Sequence, residues 1–250
     1  MTEVFGTLFY EGFESLQQHS DEKQVYTSRF IEYIERYEAD SLLDIGAGDG
    51  EVALPISEHV TNYVAIERNP NYATLLRAGG KTVIEQLFPG DAKIEGEGEY
   101  DLVLMSHIIS HITGNHRVLL PPAWESVKPG GHLLIATTRL SEQDDWSRLL
   151  DSLGLGYSEG SIATANELME NLQLRGETEV QKVTTHLKTG DVSQMIKAMS
   201  FLAASGGKTH HDRFMQKAER LERILDDYRT EEGFSFPFTH PFISTKKSLD

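Results

Sequence analysis

The amino-acid sequence predicts an α/β protein built on a doubly wound, mostly parallel, seven-stranded sheet. Short apolar runs recur at regular intervals through residues 41–138, and segments with helical periodicity lie between them. Nearly continuous apolar runs are typical of strands that are covered on both faces. Strands that alternate with helices favour parallel pairing, because each crossover returns the chain to the same edge of the sheet.

Two amphipathic helices open the sequence. Apolar residues recur three and four positions apart within residues 8–37, and Ser20 or Asp21 is a candidate cap for the second helix. We expect residues 1–39 to form an N-terminal helical cap. Five strands are then predicted, with helices between them, at 41–46, 62–67, 81–86, 100–106 and 131–138.

The pattern changes after residue 140. Helices are predicted within 141–154, within 164–174 (with Thr164 as a possible cap) and over 191–229, and strands at 179–188 and 234–247. We expect the helices within 190–230 to form a helical insertion, or cap, before the last strand. The whole of 1–250 is predicted to be a single domain.

Composition limits the partners and the location. The formal net charge of −16 opposes binding to nucleic acid, and it favours a cationic small molecule or simply solubility. No apolar run approaches the roughly 20 residues that span a bilayer, so no membrane association is expected. The sequence has no cysteine, which excludes disulfides and thiolate metal ligands and favours a cytoplasmic location. The oligomeric state is not predicted.

A glycine-rich segment follows the first core strand. In SLLDIGAGDGEVALPI, residues 41–56, Gly46, Gly48 and Gly50 stand between a strand and a helix. Glycine permits a sharp turn there and a close approach of a ligand to the backbone. In open parallel sheets, ligands bind at the carboxyl ends of the strands. The second strand ends in Glu67, whose carboxylate can accept both hydroxyls of a ribose.

The glycines by themselves do not identify the ligand. A dinucleotide-binding loop has the spacing G-x-G-x-x-G, but Glu51 occupies the place of its third glycine. A nicotinamide-dependent dehydrogenase and an empty structural turn are therefore alternatives that the glycines do not exclude.

Four segments together resemble the class I S-adenosylmethionine-dependent methyltransferases, which have a Rossmann-like fold. They are DIGAGDG (44–50), Glu67, YDLVLMSH (100–107) and VKPGGHLLI (127–135). The resemblance implies S-adenosyl-L-methionine as cofactor, S-adenosyl-L-homocysteine as product, and 40–140 as the cofactor-binding half. It implies that the glycine loop lies under the methionine part of the cofactor and that Glu67 binds the ribose. It also implies that residues 85–86 lie near the adenine and residues 106–107 beside the sulfonium. The implied cofactor-binding residues are Asp44, Gly46, Ala47, Gly48, Gly50, Glu67, Arg68, Glu85, Gln86, Ser106 and His107.

Residues 10–24, the MSHIISHI segment (105–112) and the late helical insertion are similar to the histamine N-methyltransferase-like branch. That resemblance implies methyl transfer to a small-molecule amine by in-line displacement. It implies substrate binding by Glu22, which would receive the amine's charge, and by Ser110, His111 and His240. A protonated amine must lose its proton before it attacks, so His107 and His111 are the predicted catalytic residues.

Three further interpretations stand beside this one. The protein could be an O- or C-methyltransferase of a natural-product intermediate, or a non-catalytic cofactor-binding regulatory protein. A spacing of four would place His107 and His111 on one face of a helix, which also suits a divalent metal. Because the sequence places no third ligand, no metal is predicted.

Overall fold

The computed structural model describes residues 3–90, 98–109, 116–137, 145–155, 159–204 and 208–249. The chain divides into two compact units. Unit 1 comprises Met1–Glu22, Ser141–Ile162 and Thr184–Thr239, and unit 2 comprises Lys23–Leu140, Ala163–Val183 and His240–Asp250. The single domain expected over 1–250 stays a prediction. Among the described residues, no helix combines the length and apolar character required to cross a bilayer.

Five parallel strands of unit 2 confirm the predicted alternation. They are β1 (Ser41–Ile45), β2 (Asn62–Ile66), β3 (Thr82–Ile84), β4 (Tyr100–Ser106) and β5 (Val127–Ala136). Their order in the sheet is β3-β2-β1-β4-β5, so the chain winds outward from β1 in both directions. This order brings the carboxyl ends of β1, β2 and β4 to one edge of the sheet.

Three further strands follow in the sequence: β6 (Glu177–Thr189), β7 (Arg229–Thr230) and β8 (Gly233–Lys246). The sheet continues from β5 to β8 and then to β6, with β8 antiparallel to β5. The short β7 pairs with the start of β8 in an antiparallel hairpin, which the sequence did not predict. The seven predicted strands are therefore present, and the fold class is confirmed with eight strands in the described part of the chain.

Alternate residues of the central strands face two different layers of helices. On one face, Leu42 and Leu104 pack with Tyr26 and Phe30 of helix α2 (Glu22–Arg36). On the other face, the residues of β1 and β4 that alternate with these pack against helices α5 (His116–Ser126) and α7 (Glu159–Gln173). Full burial of such side chains contributes about 1.5–3 kcal/mol each. Helices α3 (Ala53–Ser57) and α4 (Pro70–Ala78) connect the first three strands.

Unit 1 contains the remaining helices, which are α1 (Glu3–His19), α6 (Asp145–Ser152), α8 (Val192–Ala204), α9 (Lys208–Met215) and α10 (Ala218–Leu225). Its core gathers Trp146, Met199, Phe214 and Phe236. Helices α8 to α10 form the predicted helical segment before the last strand.

Several predicted boundaries differ from the structure. The helical region predicted over residues 191–229 is divided among α8, α9 and α10. Helix α7 begins at Glu159, so Thr164 lies inside the helix and is not its cap. Strand β5 begins at Val127 rather than at residue 131, and a shift of register against Tyr100 accommodates the early start. Ser20 does cap α2, because its hydroxyl accepts the backbone N–H of Glu22 at 3.1 Å.

Candidate functional site

The loop after β1 turns on glycines with left-handed backbone. Gly46 has φ +78° and Gly48 has φ +68°, a region that side chains with a Cβ adopt only with strain. A Cβ at Gly46 would lie 2.7 Å from Cδ1 of Ile108, so a larger residue there would require the Ile108 side chain to shift, in addition to the backbone strain. A Cβ at Gly48 would meet no protein atom within 4 Å. The backbone at Gly48 therefore presents bare main chain to open space, as a ligand cradle requires.

Glu67 fixes this loop from the end of β2. Its side chain is only 7% exposed, and each carboxylate oxygen accepts a backbone N–H. Oε2 accepts from Gly48 at 2.9 Å, and Oε1 accepts from Asn69 at 2.7 Å, just before α4 begins. A carboxylate has about four acceptor positions, so two remain for ribose hydroxyls. Glu67, which is predicted to bind the ribose, therefore also holds the glycine loop that is predicted to bind the methionine part of the cofactor.

Asp44 lies buried near the end of β1, and Tyr63 of β2 is its hydrogen-bond donor. The phenol of Tyr63 donates to Oδ2 of Asp44 at 2.8 Å, and the two residues are 7% and 4% exposed. Burial raises the pKa of Asp44 to about 7, the bond from Tyr63 opposes that rise, and the nearby charge of Glu67 adds to it. Burial and the Asp44 charge also raise the pKa of Tyr63. Sequence reasoning missed Tyr63, whose position in an apolar strand resembles that of any core residue.

Lys23 ties the first turn of α2 to the glycine loop. Its ammonium lies 2.6 Å from Oδ2 of Asp49 and 2.9 Å from Oε2 of Glu51. Burial opposes the charge of Lys23, but these two bonds outweigh that effect and raise its pKa. The pairing was not predicted, because nothing in the sequence relates Lys23 to a loop 26 residues away.

Four further residues of the predicted cofactor set lie at or near the surface. Arg68 is exposed, and Glu85 forms an exposed ion pair with Arg77 of α4 at 2.8 Å. Gln86 and Ala47 are half-buried. Glu85 therefore has a partner on the protein surface in this structure, and its contact with a cofactor stays a prediction.

His107 does not begin a helix, contrary to the sequence interpretation. Ser106 ends β4, and the backbone N–H of His107 donates to the carbonyl of Ala136 at 2.9 Å, before a turn over residues 107–109. His107 has φ +56°, an uncommon backbone for a side chain with a Cβ and one that clusters at functional sites. The prediction that His107 and His111 share one face of a helix is therefore wrong, because His107 is not part of a helix. Ser110 and His111 lie outside the described residues.

The ring of Tyr26 brings together two histidines that are far apart in sequence. His107 stacks on Tyr26 with ring centroids 5.2 Å apart and planes 5° apart. His240 of β8, 3% exposed, meets the same ring edge-on at 5.3 Å and His107 at 5.9 Å. One ring nitrogen of each histidine lies within 4.8 Å of the other. We call His107 and His240 the histidine pair.

The histidine pair offers nitrogens that can take a proton or bind a first-row divalent cation. Glu22, the first residue of α2, precedes Tyr26 by four residues and so shares its helix face. The structure thus brings together two of the predicted site residues, His107 and His240, at the end of β4. Tyr26, on which they meet, was not predicted, because its helical spacing is that of a core residue. The absence of a metal stays a prediction.

Residues 19–228 match the family model described as "Methyltransferase domain". Protein-L-isoaspartate O-methyltransferase 1 of Syntrophobacter fumaroxidans is 26% identical over 151 residues, which cover 54% of this chain and 67% of that protein.

Two solved structures have a similar fold. YcgJ from Bacillus subtilis is 15% identical, with a TM-score of 0.58 over 89% of this chain and 98% of that chain. A SAM-dependent methyltransferase from Archaeoglobus fulgidus is 16% identical, with a TM-score of 0.50 over 90% and 94% of the two chains. At these identities, the likeness concerns the fold alone.

Proposed function

We propose that this chain, which belongs to the methyltransferase-domain family, transfers a methyl group to a nitrogen atom of a small amine. The family match extends over residues 19–228, and the chain is a methyltransferase that uses S-adenosyl-L-methionine. The amine as acceptor is the part that we propose. The observation that carries it is the histidine pair stacked on Tyr26, next to the end of β4.

The cofactor fits the residues around the glycine loop. A Cβ at Gly48 would project into open space, so a ligand can approach the main chain there, and Glu67 has acceptor positions left for a ribose. We assign the methionine end to Asp44 and to Gly46 through Gly50, and the ribose to Glu67. Arg68, Glu85, Gln86, Ser106 and His107 complete the assignment. When bound, the cofactor supplies an electrophilic methyl group on a sulfonium.

The protein's own contribution is to position the acceptor and to accept a proton. Alignment of the nitrogen with the methyl carbon and sulfur is worth up to roughly 7–11 kcal/mol in favourable systems. An ammonium has no free electron pair, so its proton must leave first. His107 accepts that proton on a ring nitrogen, and its stacking on Tyr26 holds the ring in place. The nitrogen that His107 has deprotonated would then be able to take the methyl group that the bound cofactor would supply.

Charge supports a cationic acceptor. The chain carries a formal net charge of −16, which attracts a protonated amine and repels an anion. We propose that Glu22 receives the positive charge of the amine and that His240 lines the acceptor site, as in the histamine N-methyltransferase-like branch. Ser110 and His111 remain proposed substrate and catalytic residues.

An oxygen acceptor is the second candidate. It is favoured by the relative from Syntrophobacter fumaroxidans, which is named as an O-methyltransferase of protein L-isoaspartate. The acceptor oxygen of such a substrate belongs to a carboxylate, and the net charge of −16 opposes its approach. O- or C-methylation of a natural-product intermediate also stays open, and the acceptor panel below distinguishes an oxygen acceptor from an amine.

Transfer from S-adenosylmethionine labelled in the methyl group tests the proposal. The purified protein is given a panel of imidazole and aromatic amines, phenols and an isoaspartyl peptide, and products are identified by mass spectrometry. We expect label on an amine nitrogen. Label on the peptide carboxyl would overturn the amine acceptor. Binding of S-adenosylhomocysteine without transfer to any member would support a non-catalytic binder.

His107→Gln tests the proton acceptor. We expect it to lower kcat by about 100-fold, in the range typical of general base catalysis, which is a larger loss than the fall in S-adenosylhomocysteine affinity that accompanies it. His132→Gln is the matched control, because His132 also stacks on a tyrosine, Tyr37, at 3.6 Å but has no assigned role. Equal activity of the two variants would contradict the role of His107.

The remaining assignments are proposals as well. We propose that 1–250 acts as one methyltransferase domain, with 1–39 as a cap, 40–140 as the cofactor-binding half and 190–230 as a second cap. The cytoplasmic location and the absence of a nucleic-acid partner stay predictions from the sequence.

A further inference from the structure

Tyr63 reaches Asp44 from the neighbouring strand. β1 and β2 run parallel with Leu42 opposite Tyr63, so Asp44 lies two residues farther along β1, on the same face of the sheet. The long Tyr63 side chain covers that offset, and its hydroxyl donates to Oδ2 of Asp44 at 2.8 Å. Both residues are buried, so this bond forms away from water.

The place of Asp44 connects this bond to the cofactor. Asp44 is the last residue but one of β1, and the glycine loop begins directly after that strand. The methionine end of S-adenosylmethionine carries an ammonium and a sulfonium, and both are cations. An ionised carboxylate stabilises such charges, whereas a neutral carboxyl does so weakly.

We propose that Tyr63 is a positioning residue of the cofactor site: its hydroxyl fixes one oxygen of Asp44, stabilises the ionised carboxylate and leaves the second oxygen to the methionine end. The inference rests on the proposed function, because it assumes that the cofactor occupies the glycine loop. Binding then releases the proton of Asp44 to solvent, and the carboxylate that remains forms a hydrogen bond to the ammonium.

Two titratable groups act on Asp44 within the described part of the chain. Burial raises the pKa of Asp44 to about 7, the Tyr63 bond lowers it and the charge of Glu67 raises it. At pH 7 about half of the carboxyl groups are therefore ionised. Loss of the Tyr63 bond removes the effect that favours ionisation, so the variant should bind cofactor well only at higher pH.

Calorimetric titration with S-adenosylhomocysteine from pH 6 to 8.5 tests this with Tyr63→Phe. If the pKa of Asp44 rises by about one unit, affinity falls about fivefold at pH 7 and less than about twofold at pH 8.5. Titration in two buffers with different ionisation enthalpies measures the proton released, which should be absent in Asp44→Asn. Tyr37→Phe is the matched control, because it also loses one tyrosine bond, to Ser244 at 2.9 Å.

The outcomes separate this inference from the function on which it rests. An equal loss of affinity at every pH, or a pH-dependent loss from Tyr63→Phe that persists in the Asp44→Asn background, would overturn the positioning role alone. If the unaltered protein fails to bind S-adenosylhomocysteine at any pH, the proposed function falls, and this inference falls with it. A loss confined to neutral and lower pH that disappears in the Asp44→Asn background supports the inference.

Discussion

The buried carboxyl of Asp44 should make the fold less stable at neutral pH. Burial raises its pKa from 3.8 to about 7. Between these values the folded protein keeps a proton that the unfolded chain has lost. The folded state therefore binds more protons, and the free energy of unfolding falls as pH rises through this window. The destabilisation is absent below the unfolded pKa and complete above the folded one.

The magnitude follows from the width of the window. A shift of about three pKa units corresponds to about 4 kcal/mol at about 1.4 kcal/mol per unit. Less than half of this, about 1.7 kcal/mol, is already present at pH 5. The change between pH 5 and pH 8 is therefore about 2–3 kcal/mol. Asp44→Asn removes the titration but keeps a side-chain oxygen that can accept from Tyr63.

Urea unfolding of the cofactor-free protein at pH 5, 6, 7 and 8 measures the effect. We expect the advantage of Asp44→Asn over the unaltered protein to grow by about 2–3 kcal/mol across this range. Asp101→Asn is the control. Burial alone would raise the pKa of Asp101, but bonds from Lys128 and Ser41 outweigh it and lower the pKa. Its effect should be flat between pH 5 and 8, and an equally flat difference for Asp44→Asn would refute the reasoning.

Three further predictions concern the site. Gly48→Ala and Gly154→Ala, which share φ +68° and open space, should each lower the free energy of unfolding by about 1–2 kcal/mol. Only Gly48→Ala should weaken S-adenosylhomocysteine binding, by roughly tenfold or more. Equal affinity of the two variants would contradict the proposal that the cofactor contacts the main chain at Gly48. Glu67→Gln should weaken the same binding by about 1.5–3 kcal/mol in calorimetry, because the ribose hydroxyls lose a charged acceptor; unchanged affinity would exclude the ribose role. Dialysis against EDTA should leave methyl transfer unchanged, and a loss that Zn²⁺ restores would make the histidine pair a metal site.

The glycine loop could be predicted because its information is local. Alternate glycines after an apolar run specify a turn at the end of a strand, and an acid at the end of the next strand is brought to the same edge of the sheet. Gly48 and Glu67 accordingly meet at 2.9 Å. The contacts of Lys23 and Tyr63 could not be predicted in this way. They join residues 26 and 19 positions apart, and no spacing rule selects one lysine or tyrosine over another.

The errors near His107 and residue 127 have physical causes. Periodicity continues through residues 107–112, but the strand ladder extends one bond farther, and the left-handed backbone of His107 turns the chain. Pro129, Gly130 and Gly131 are typical of a turn, yet they lie inside β5, where the irregular register with β4 accommodates them. In both places tertiary hydrogen bonds override the local pattern.

The order of the sheet has a consequence for how the chain folds. β8 lies between β5 and β6, although it follows every other described strand in sequence, and Ile135 pairs with Ile243 across 108 positions. Until β8 pairs with them, β5 and β6 each lack a strand neighbour on the side that β8 covers. Open edges invite pairing with other chains. Slow docking of β8 during refolding should therefore favour association between chains.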